Sequence, residues 1–190
     1  GGSNPINPSD LVIGGTLGEN LTLSTGNEYN LTSGLIVPEG ITLTIEPGVI
    51  VRANTSSDVF VAIQQGGVIN AEGTSSNPIV FTSNSATPNP GDWGGLIILG
   101  RAPINSVVGG DATSTSEIGG LPYGGSIADD DSGIIRYVRI EYSGGAADAA
   151  SENNGFSFYG VGSGTTIDFI QAFEGADDGV EFFGGTVNAS

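Results

Sequence analysis

The chain has 190 residues, enough for one domain with a sizeable core. It carries 21 acidic residues against four Arg, without Lys or His, for a formal net charge of −17, which excludes nucleic acid as a partner because phosphate backbones are bound by Lys and Arg. The chain has no cysteine, so disulfides and thiol chemistry are excluded, and no run approaches the ~18 continuous apolar residues of a membrane helix.

The first 18 residues differ in composition from the rest. They contain Pro5, Pro8 and the pair Gly14–Gly15, with one short apolar piece, Leu11–Ile13. Proline and glycine at this density disfavour regular structure. We therefore predict an N-terminal arm over residues 1–18, followed by a single domain over residues 19–190.

Residues 21–83 match themselves at an offset of 19. When Ile41–Ala53 is aligned with Phe60–Glu72, Ile41 falls on Phe60 and one Gly-Val-Ile triplet falls on another. This period is too short for a propeller blade of ~40 residues. It fits one coil of a parallel β-helix, in which inward side chains are buried only by stacking on neighbouring coils.

The composition agrees with strands and turns. The chain has 33 Gly, and Val, Ile, Thr and Phe dominate its apolar runs. A leucine-rich repeat shares the period but lacks its asparagine ladder and leucine spacing here. A β-sandwich would also suit short strands 8 to 12 residues apart, but the self-match favours a solenoid of about seven to eight coils, roughly 35 Å long.

Two stretches interrupt the rhythm of strands. Asn84–Asp92 is rich in Pro, Gly and Asn, and Asn105–Ser132 is long, rich in Gly, Ser and Thr, and ends in acids. Both are predicted to be long loops that leave the coil and return to it.

A second motif recurs in the later part of the chain. It consists of glycine, apolar residues and glycine: GLIILG (Gly95–Gly100), GFSFYG (Gly155–Gly160) and GVEFFG (Gly179–Gly184). Two related strands lie between these motifs, IRYVRIEY (Ile135–Tyr142) and IDFIQAFE (Ile167–Glu174). Their alternation of apolar and polar residues predicts further coils.

The run GDWGGLIILGRAPIN, then YVRIEYSGG, then GVEFFGGTVN, preceded by IVPEGITLTIEPGVIV, resembles a widespread class of secreted or surface-anchored bacterial proteins of unassigned function. The resemblance covers about Leu31–Asn188. It implies a right-handed parallel β-helix and a location on the bacterial cell surface, with no established catalytic residues. Relatives continue beyond GGTVN, whereas this chain stops at Ser190, so we expect a truncated or an open last coil. An open coil exposes a strand edge that predicts end-to-end assembly.

Two groups of acids are candidate ligands for Ca²⁺, which takes six to eight oxygens. The first group consists of consecutive acids before a strand: Asp129, Asp130 and Asp131. The second group lies at a coil corner: Asp177, Asp178 and Glu181. Stacked corners would bring the second group near Asp148 or Glu152. A solvated acidic loop is the alternative for both.

The residue types present in the chain give little support to an enzymatic function. Paired carboxylates hydrolyse glycosides, but nothing selects one pair, and a single Trp offers little sugar stacking. A polyuronate lyase is disfavoured because its substrate is anionic and Lys is absent. Arg136 and Arg139 are expected to share a strand face and to pair with acids of adjacent coils. Without His or Lys, serine nucleophiles and His-based metal sites are excluded.

The sequence therefore predicts a non-catalytic, extracellular structural or adhesive protein, an adhesin stalk or filament subunit that contacts its own copies or other surface components. The alternative is a carbohydrate-binding or carbohydrate-active β-helix that uses its acidic corners with calcium. Five aromatic side chains either line a groove for a glycan or stack between coils: Tyr123, Tyr137, Tyr142, Tyr159 and Phe183.

Overall fold

The computed structural model describes residues 11–105, 113–146 and 152–190. Regular structure in these ranges is almost entirely β-strand. In chain order the strands are β1 (Val12–Thr16), β2 (Leu21–Leu23), β3 (Glu28–Val37), β4 (Thr42–Ile45), β5 (Ile50–Ala53), β6 (Ser56–Ile63), β7 (Val68–Glu72), β8 (Ile79–Ser83), β9 (Trp93–Leu99), β10 (Thr113–Thr115), β11 (Pro122–Gly124), β12 (Gly133–Glu141), β13 (Phe156–Tyr159), β14 (Thr166–Phe173) and β15 (Val180–Phe183).

Thirteen of these strands form one sheet by parallel pairing, and the sheet winds into three faces. The first face stacks β2, β4, β7 and the first halves of β12 and β14. The second face stacks the first half of β3, then β5, β8 and the second halves of β12 and β14. The third face stacks the second half of β3, then β6, β9, β13 and β15. The predicted right-handed parallel β-helix is confirmed.

Strand β1 lies within the segment predicted to be an arm. It pairs in parallel with both halves of β3, with Val12 beside Asn30 and Thr16 beside Ile36. Residues 12–16 therefore add a rung to the second and third faces. Residues 1–10 lie outside the described part of the chain.

In the part of the chain that the structure describes, the solenoid has fewer coils than the seven to eight that we predicted. Within the described ranges, the second face has six rungs, from β1 to β14, and the third face has six, from β1 to β15. The first face has five rungs, which a bridge between Ile167 and Ala189 extends. Coils are fewer because every rung after β1 lies more than 19 residues from its partner: Leu21 pairs with Leu43, and Thr42 pairs with Val68.

The predicted stacking of Ile41 on Phe60 is wrong. The Ile41 carbonyl accepts a hydrogen bond from the amide of Val68 at 3.0 Å, and Phe60 lies beside Gly95. The self-match aligned two different corners. Glu46–Val49 turns the chain from the first face to the second, whereas Gln64–Gly67 turns it from the third face to the first. Similar turn chemistry at unlike corners produced the false period.

The later motifs do stack as coils. GLIILG lies beside GFSFYG, and GFSFYG lies beside GVEFFG, so that Phe156 has Leu96 on one side and Val180 on the other. The two related strands also pair in register, with Ile135 beside Ile167. In this half of the chain, residues that lie side by side on adjacent coils are 24 residues apart for Phe156 and Val180, and 32 apart for Ile135 and Ile167.

The interior of the solenoid is filled by the inward side chains of all three faces. Phe158 is fully buried there, and its ring stacks on Phe156 and on Phe182, with the Phe182 centroid at 5.1 Å. Each fully buried apolar side chain of this size stabilises the fold by about 1.5–3 kcal/mol. The stacked core explains why a coil is stable only beside its neighbours.

The second predicted loop covers the outside of the third face. It carries a small antiparallel hairpin, β10 with β11, and its described part buries a second apolar cluster that consists of Ala62, Ile97, Leu99, Ile104, Ile118, Tyr123 and Tyr159. As a result β9 is buried along its whole length. The other predicted loop, residues 84–92, connects β8 to β9.

Candidate functional site

All four arginines of the chain form ion pairs on the outside of the solenoid. Arg136 lies between two acids of adjacent coils, 3.3 Å from Glu72 and 3.3 Å from Asp168, because β12 lies between β7 and β14. The prediction that Arg136 pairs with acids of neighbouring coils is confirmed. The other pairs are Arg52 with Glu28, Arg101 with Glu39, and Arg139 with Glu141.

The sequence predicted that Arg136 and Arg139 share a strand face. In the structure they lie on different faces. Tyr137 has a φ of +48° and turns β12 sharply between the first face and the second. Arg136 therefore projects from the first face and Arg139 from the second. The acid that pairs with Arg139 lies on its own strand: Glu141, at 2.6 Å. Glu141 in turn accepts a hydrogen bond from Thr82 of the adjacent coil at 2.8 Å.

An aromatic pair forms the corner between the first and second faces in the last two coils. Tyr137 and Phe169 occupy equivalent positions, both with left-handed φ angles, +48° and +51°. Their rings stack with centroids 4.6 Å apart and planes 13° from parallel. Left-handed backbone costs an L-residue roughly 1–2 kcal/mol, and such strain is retained where surrounding structure fixes it.

A cavity of about 230 Å³ lies against this corner. Its walls come from the loop before β8 and from the two coils that carry the aromatic pair: Ser75, Pro78, Tyr137, Val138, Arg139, Phe169 and Gln171. The Phe169 side chain is 56% exposed. The Arg139 guanidinium lies 4.7 Å from the centre of the Phe173 ring. The arrangement is an apolar ring platform bordered by hydrogen-bonding groups.

A second cavity, of about 300 Å³, is lined by small polar side chains, those of Asn54, Thr55, Asn84 and Ser85. The Asn84 amide donates to the Asn54 carbonyl oxygen at 3.1 Å. These amides stack between adjacent coils, and their hydrogen bonding to each other accounts for their placement.

In the first predicted calcium group, the carboxylates of Asp130 and Asp131 accept hydrogen bonds from backbone amides. Asp130 accepts a hydrogen bond from the amide of Arg101 at 2.8 Å, and Asp131 accepts one from the amide of Gly133 at 2.7 Å. The backbone of Asp129 lies close to Gly164 in the next coil. These bonds end the long loop and start β12.

The second predicted group lies at another corner, after β14. Glu181 accepts a hydrogen bond from the Asn154 amide at 2.6 Å. Burial raises the pKa of Glu181, and Asp178 and Asp177 raise it further. The Glu152 carboxyl shares a hydrogen bond with Asp177 that raises the pKa of Glu152, so stacking does bring Glu152 to this corner. Asp148 lies outside the described residues.

The two acidic groups thus occupy different corners of the solenoid. Among the residues that the structure describes, no group of three or more acids is gathered closely enough to hold a metal ion. Calcium binding at Asp129, Asp130, Asp131, Asp177, Asp178 or Glu181 stays a prediction.

The five predicted aromatic residues divide between two roles. Tyr159 stacks on Phe183 at 4.0 Å and contacts Tyr123 at 4.9 Å under the long loop, and burial raises the pKa of Tyr159 far above its ordinary value. Tyr142 packs edge-on against Phe173. Tyr137 lines the cavity at the corner between the first and second faces.

Sequence reasoning missed the other members of this cavity. Phe169, Arg139 and Gln171 were not singled out as a site. The available signal was the match of IRYVRIEY with IDFIQAFE, which places Phe169 on Tyr137 and Gln171 on Arg139 once the strands are taken as neighbours.

A family model described as a pectate-lyase-like β-helix domain matches residues 15–190. The chain belongs to this family of β-helix proteins. No curated protein and no solved structure matches it. The described ranges contain no helix with the length and apolarity needed to cross a membrane.

Proposed function

We propose that this chain is a rigid, extracellular β-helix module of a bacterial surface protein, and that it serves structure or adhesion rather than catalysis. The observation that carries this proposal is that arginine side chains form ion pairs between adjacent coils. Arg52 and Arg136 join acids of adjacent coils, as stacking of a rod requires. Such pairs between exposed charges contribute up to about 1 kcal/mol each.

The same pairing argues against a polyuronate lyase. A polyuronate chain carries one carboxylate per sugar and needs positive groups to hold it in place. All four cationic side chains of the chain are already paired with acids, and the net charge of −17 repels a polyanion. This supports a non-catalytic role in a fold that is often carbohydrate-active.

An activity assay tests the non-catalytic proposal. The purified chain is incubated with polygalacturonate, xylan, mannan and cellulose, with and without calcium. Release of reducing ends and formation of unsaturated uronides are measured beside an active pectate lyase as positive control. We expect no release from any substrate. Turnover above the buffer blank would overturn the proposal.

The proposed extracellular location has support from the family and from the charge. A strongly acidic surface stays hydrated and soluble in a salty exterior, and the sequence resembles secreted and surface-anchored proteins. Protease treatment of intact cells that express the natural protein tests this location. We expect loss of the β-helix epitope while a cytoplasmic marker stays intact, and protection of the epitope would contradict the proposal.

Self-association is the remaining part of the proposal. Val180 and Phe182 are 38% and 45% exposed on β15, although their register partners Phe156 and Phe158 are buried. A second copy, or a further coil of the same polypeptide, would cover these side chains. Negative-stain microscopy at neutral pH tests assembly of this chain: uniform fibres support it, and monodisperse particles remove the filament from the proposal.

A further inference from the structure

We propose that the open edge of β15, the side turned away from β13, binds an extended strand of a different protein. The strand would carry apolar residues at alternate positions with a Lys or Arg between them, and it would lie parallel to β15 as the next rung of the third face. This inference rests on the proposed function, because it names the chemistry of a partner that an adhesive surface module would contact at this end.

Exposed apolar side chains are concentrated at this end of the solenoid. Among the described residues, four of the six large apolar side chains that are exposed lie on β14 and β15: Phe169, Phe173, Val180 and Phe182. Val180 and Phe182 point into the solenoid, since their register partners on β13 are fully buried in its interior. A strand laid beside β15 would place its own inward side chains on these two residues and remove them from water.

The backbone of β15 has one side available for pairing. In the described ranges β15 pairs with β13 alone, and the carbonyls of Gly179 and Phe183 accept hydrogen bonds from amides of the β13 coil at 3.0 and 3.1 Å. Since successive residues of a parallel strand bond to opposite neighbours, the amides and carbonyls of Val180 and Phe182 face the open edge. Such an edge is a template for strand addition.

The preceding strand of the last coil, β14, shows how this edge holds an added segment. Ala189 bridges Ile167 in parallel on the first face. The Ser190 amide donates to the Ile167 carbonyl at 3.2 Å, and the Phe169 amide donates to the Ser190 carbonyl at 3.1 Å. The last coil therefore accepts parallel main-chain hydrogen bonds on its outer edge, and β15 presents the same kind of edge on the third face.

The charges beside this edge fit a basic strand. Glu181 lies on the outer side of β15, and its neighbouring acids are Glu117, Asp178 and Asp177. Burial raises the pKa of Glu181, and these neighbours raise it further. All four arginines of the chain pair with other acids, so none of them offsets this group. A Lys or Arg of the added strand, in register with Glu181, supplies the opposite charge.

A second copy of this chain would cover the apolar side chains but leave the acids without a cation. Two identical ends placed together would set the acids around Glu181 against their own copies, and like charges on facing strands are destabilising. The strand at the other end of the solenoid, β1, is VIGGT and carries no charge. The charges therefore favour a basic strand of a different protein over a second copy.

Fluorescence anisotropy with labelled peptides tests the proposal on the full chain. The probe GVKFFG is the β15 motif with Lys in place of Glu, since such glycine-bounded motifs stack in register on this face. The control GVEFFG is the motif itself, and KGGFFV has the charge of the probe without its alternation. We expect the probe to bind about tenfold more tightly than either control at low salt. Its advantage over GVEFFG should shrink in 1 M NaCl.

Matched variants locate the binding. Glu181→Gln should remove most of the preference for GVKFFG over GVEFFG. Glu19→Gln removes the same charge between β1 and β2, at the opposite end of the solenoid, and should keep the preference. Phe182→Ala should weaken binding of the probe, whereas Phe173→Ala, which removes an exposed ring from the second face, should not. Circular dichroism checks that each variant is folded.

Each outcome decides the inference. Equal affinity for GVKFFG and either control peptide, an unchanged preference in Glu181→Gln, or no binding at millimolar peptide would overturn it. Sedimentation of the chain alone separates the causes. A chain that self-associates through Phe182 and excludes the probe would assign this edge to a second copy, which supports self-association and overturns the basic strand. Absence of binding by a monomeric chain that is displayed on cells would overturn this inference alone.

Discussion

Arg136 and Glu72 form an ion pair at 3.3 Å although 64 residues separate them in the sequence. They meet because β12 returns to the first face directly beside β7, after the chain has passed through β8, β9 and the long loop. The insertion between them leaves the coil without disturbing the register. Contacts of this kind, between residues distant in sequence on adjacent strands, define the fold.

Substitution of Arg136 by Met is expected to cost about 1 kcal/mol of unfolding free energy, because it breaks pairs with Glu72 and Asp168 that are partly exposed. Urea unfolding at low salt and in 1 M NaCl measures it. Screening should reduce the difference at high salt. Arg52→Met is the control, because it breaks a single ion pair, with Glu28, that is more exposed to solvent. An equal loss at both salt concentrations would show that charge pairing is not the cause.

Substitution of Phe158 by Ala is expected to destabilise the fold by about 3–5 kcal/mol, because the ring is fully buried between Phe156 and Phe182. The same change at Phe182, which is 45% exposed, should cost less than half as much. Urea unfolding followed by circular dichroism measures both. Similar losses at the two positions would contradict the assignment of Phe158 to the solenoid interior.

Substitution of Gly133 by Ala is expected to prevent folding. Gly133 has a φ of +106°, and a Cβ there would collide with the backbone carbonyl of Ile69 in the neighbouring coil. Gly120→Ala is the matched control, because its φ is +58° and no atom lies within 4 Å of the added carbon. The control should lose only about 1–2 kcal/mol. Soluble yield and far-UV circular dichroism compare the two, and a folded Gly133→Ala chain would refute the close packing of β12 on β7.

Substitution of Glu181 by Gln is expected to raise the melting temperature at pH 7. Burial raises the pKa of Glu181, with help from Glu117, Asp178 and Asp177 and against the hydrogen bond from Asn154. The folded chain therefore binds this proton more tightly than the unfolded chain, so ionised Glu181 lowers stability above its folded pKa.

This cost disappears as the pH falls through the raised pKa and below the ordinary value of 4.5. The advantage of Glu181→Gln should therefore vanish near pH 3.5, where the acid is protonated in both states. Thermal melts of both chains from about pH 3.5 to 7 give the comparison. An advantage that is constant over this range, or that grows on acidification, would contradict the sign of the shift.

The fold class could be predicted from the sequence, but the coil period could not. Glycine-bounded apolar motifs such as GFSFYG and GVEFFG are true neighbours. In contrast, the turns at 46–49 and 64–67 share a glycine with positive φ at their third position, Gly48 and Gly66, and lie at different corners. A glycine turn between two strands has the same local chemistry at every corner. A single sequence therefore does not indicate which two faces of the solenoid a given turn connects.

The sequence did contain a pattern that predicts the covering role of the long loop. Trp93–Leu99 is apolar at successive positions, without the alternation of a strand that faces water on one side. Such a run predicts a strand buried on both faces, and the long loop is what covers its outer face. The position of Phe169 on Tyr137 likewise required the register of β12 and β14, which depends on contacts distant in sequence.

Disulfide trapping measures the register of neighbouring coils most directly, because the chain contains no cysteine of its own. Thr44 lies beside Asn70 on adjacent strands, where Cα atoms about 4.8 Å apart are within the range of a disulfide. Thr44→Cys with Asn70→Cys should lose two hydrogens on mild oxidation of the monomer, as read by intact mass. Thr44→Cys with Glu72→Cys, about 8 Å apart, should not. Failure of the first pair, or equal closure of both, would contradict the stacked coils.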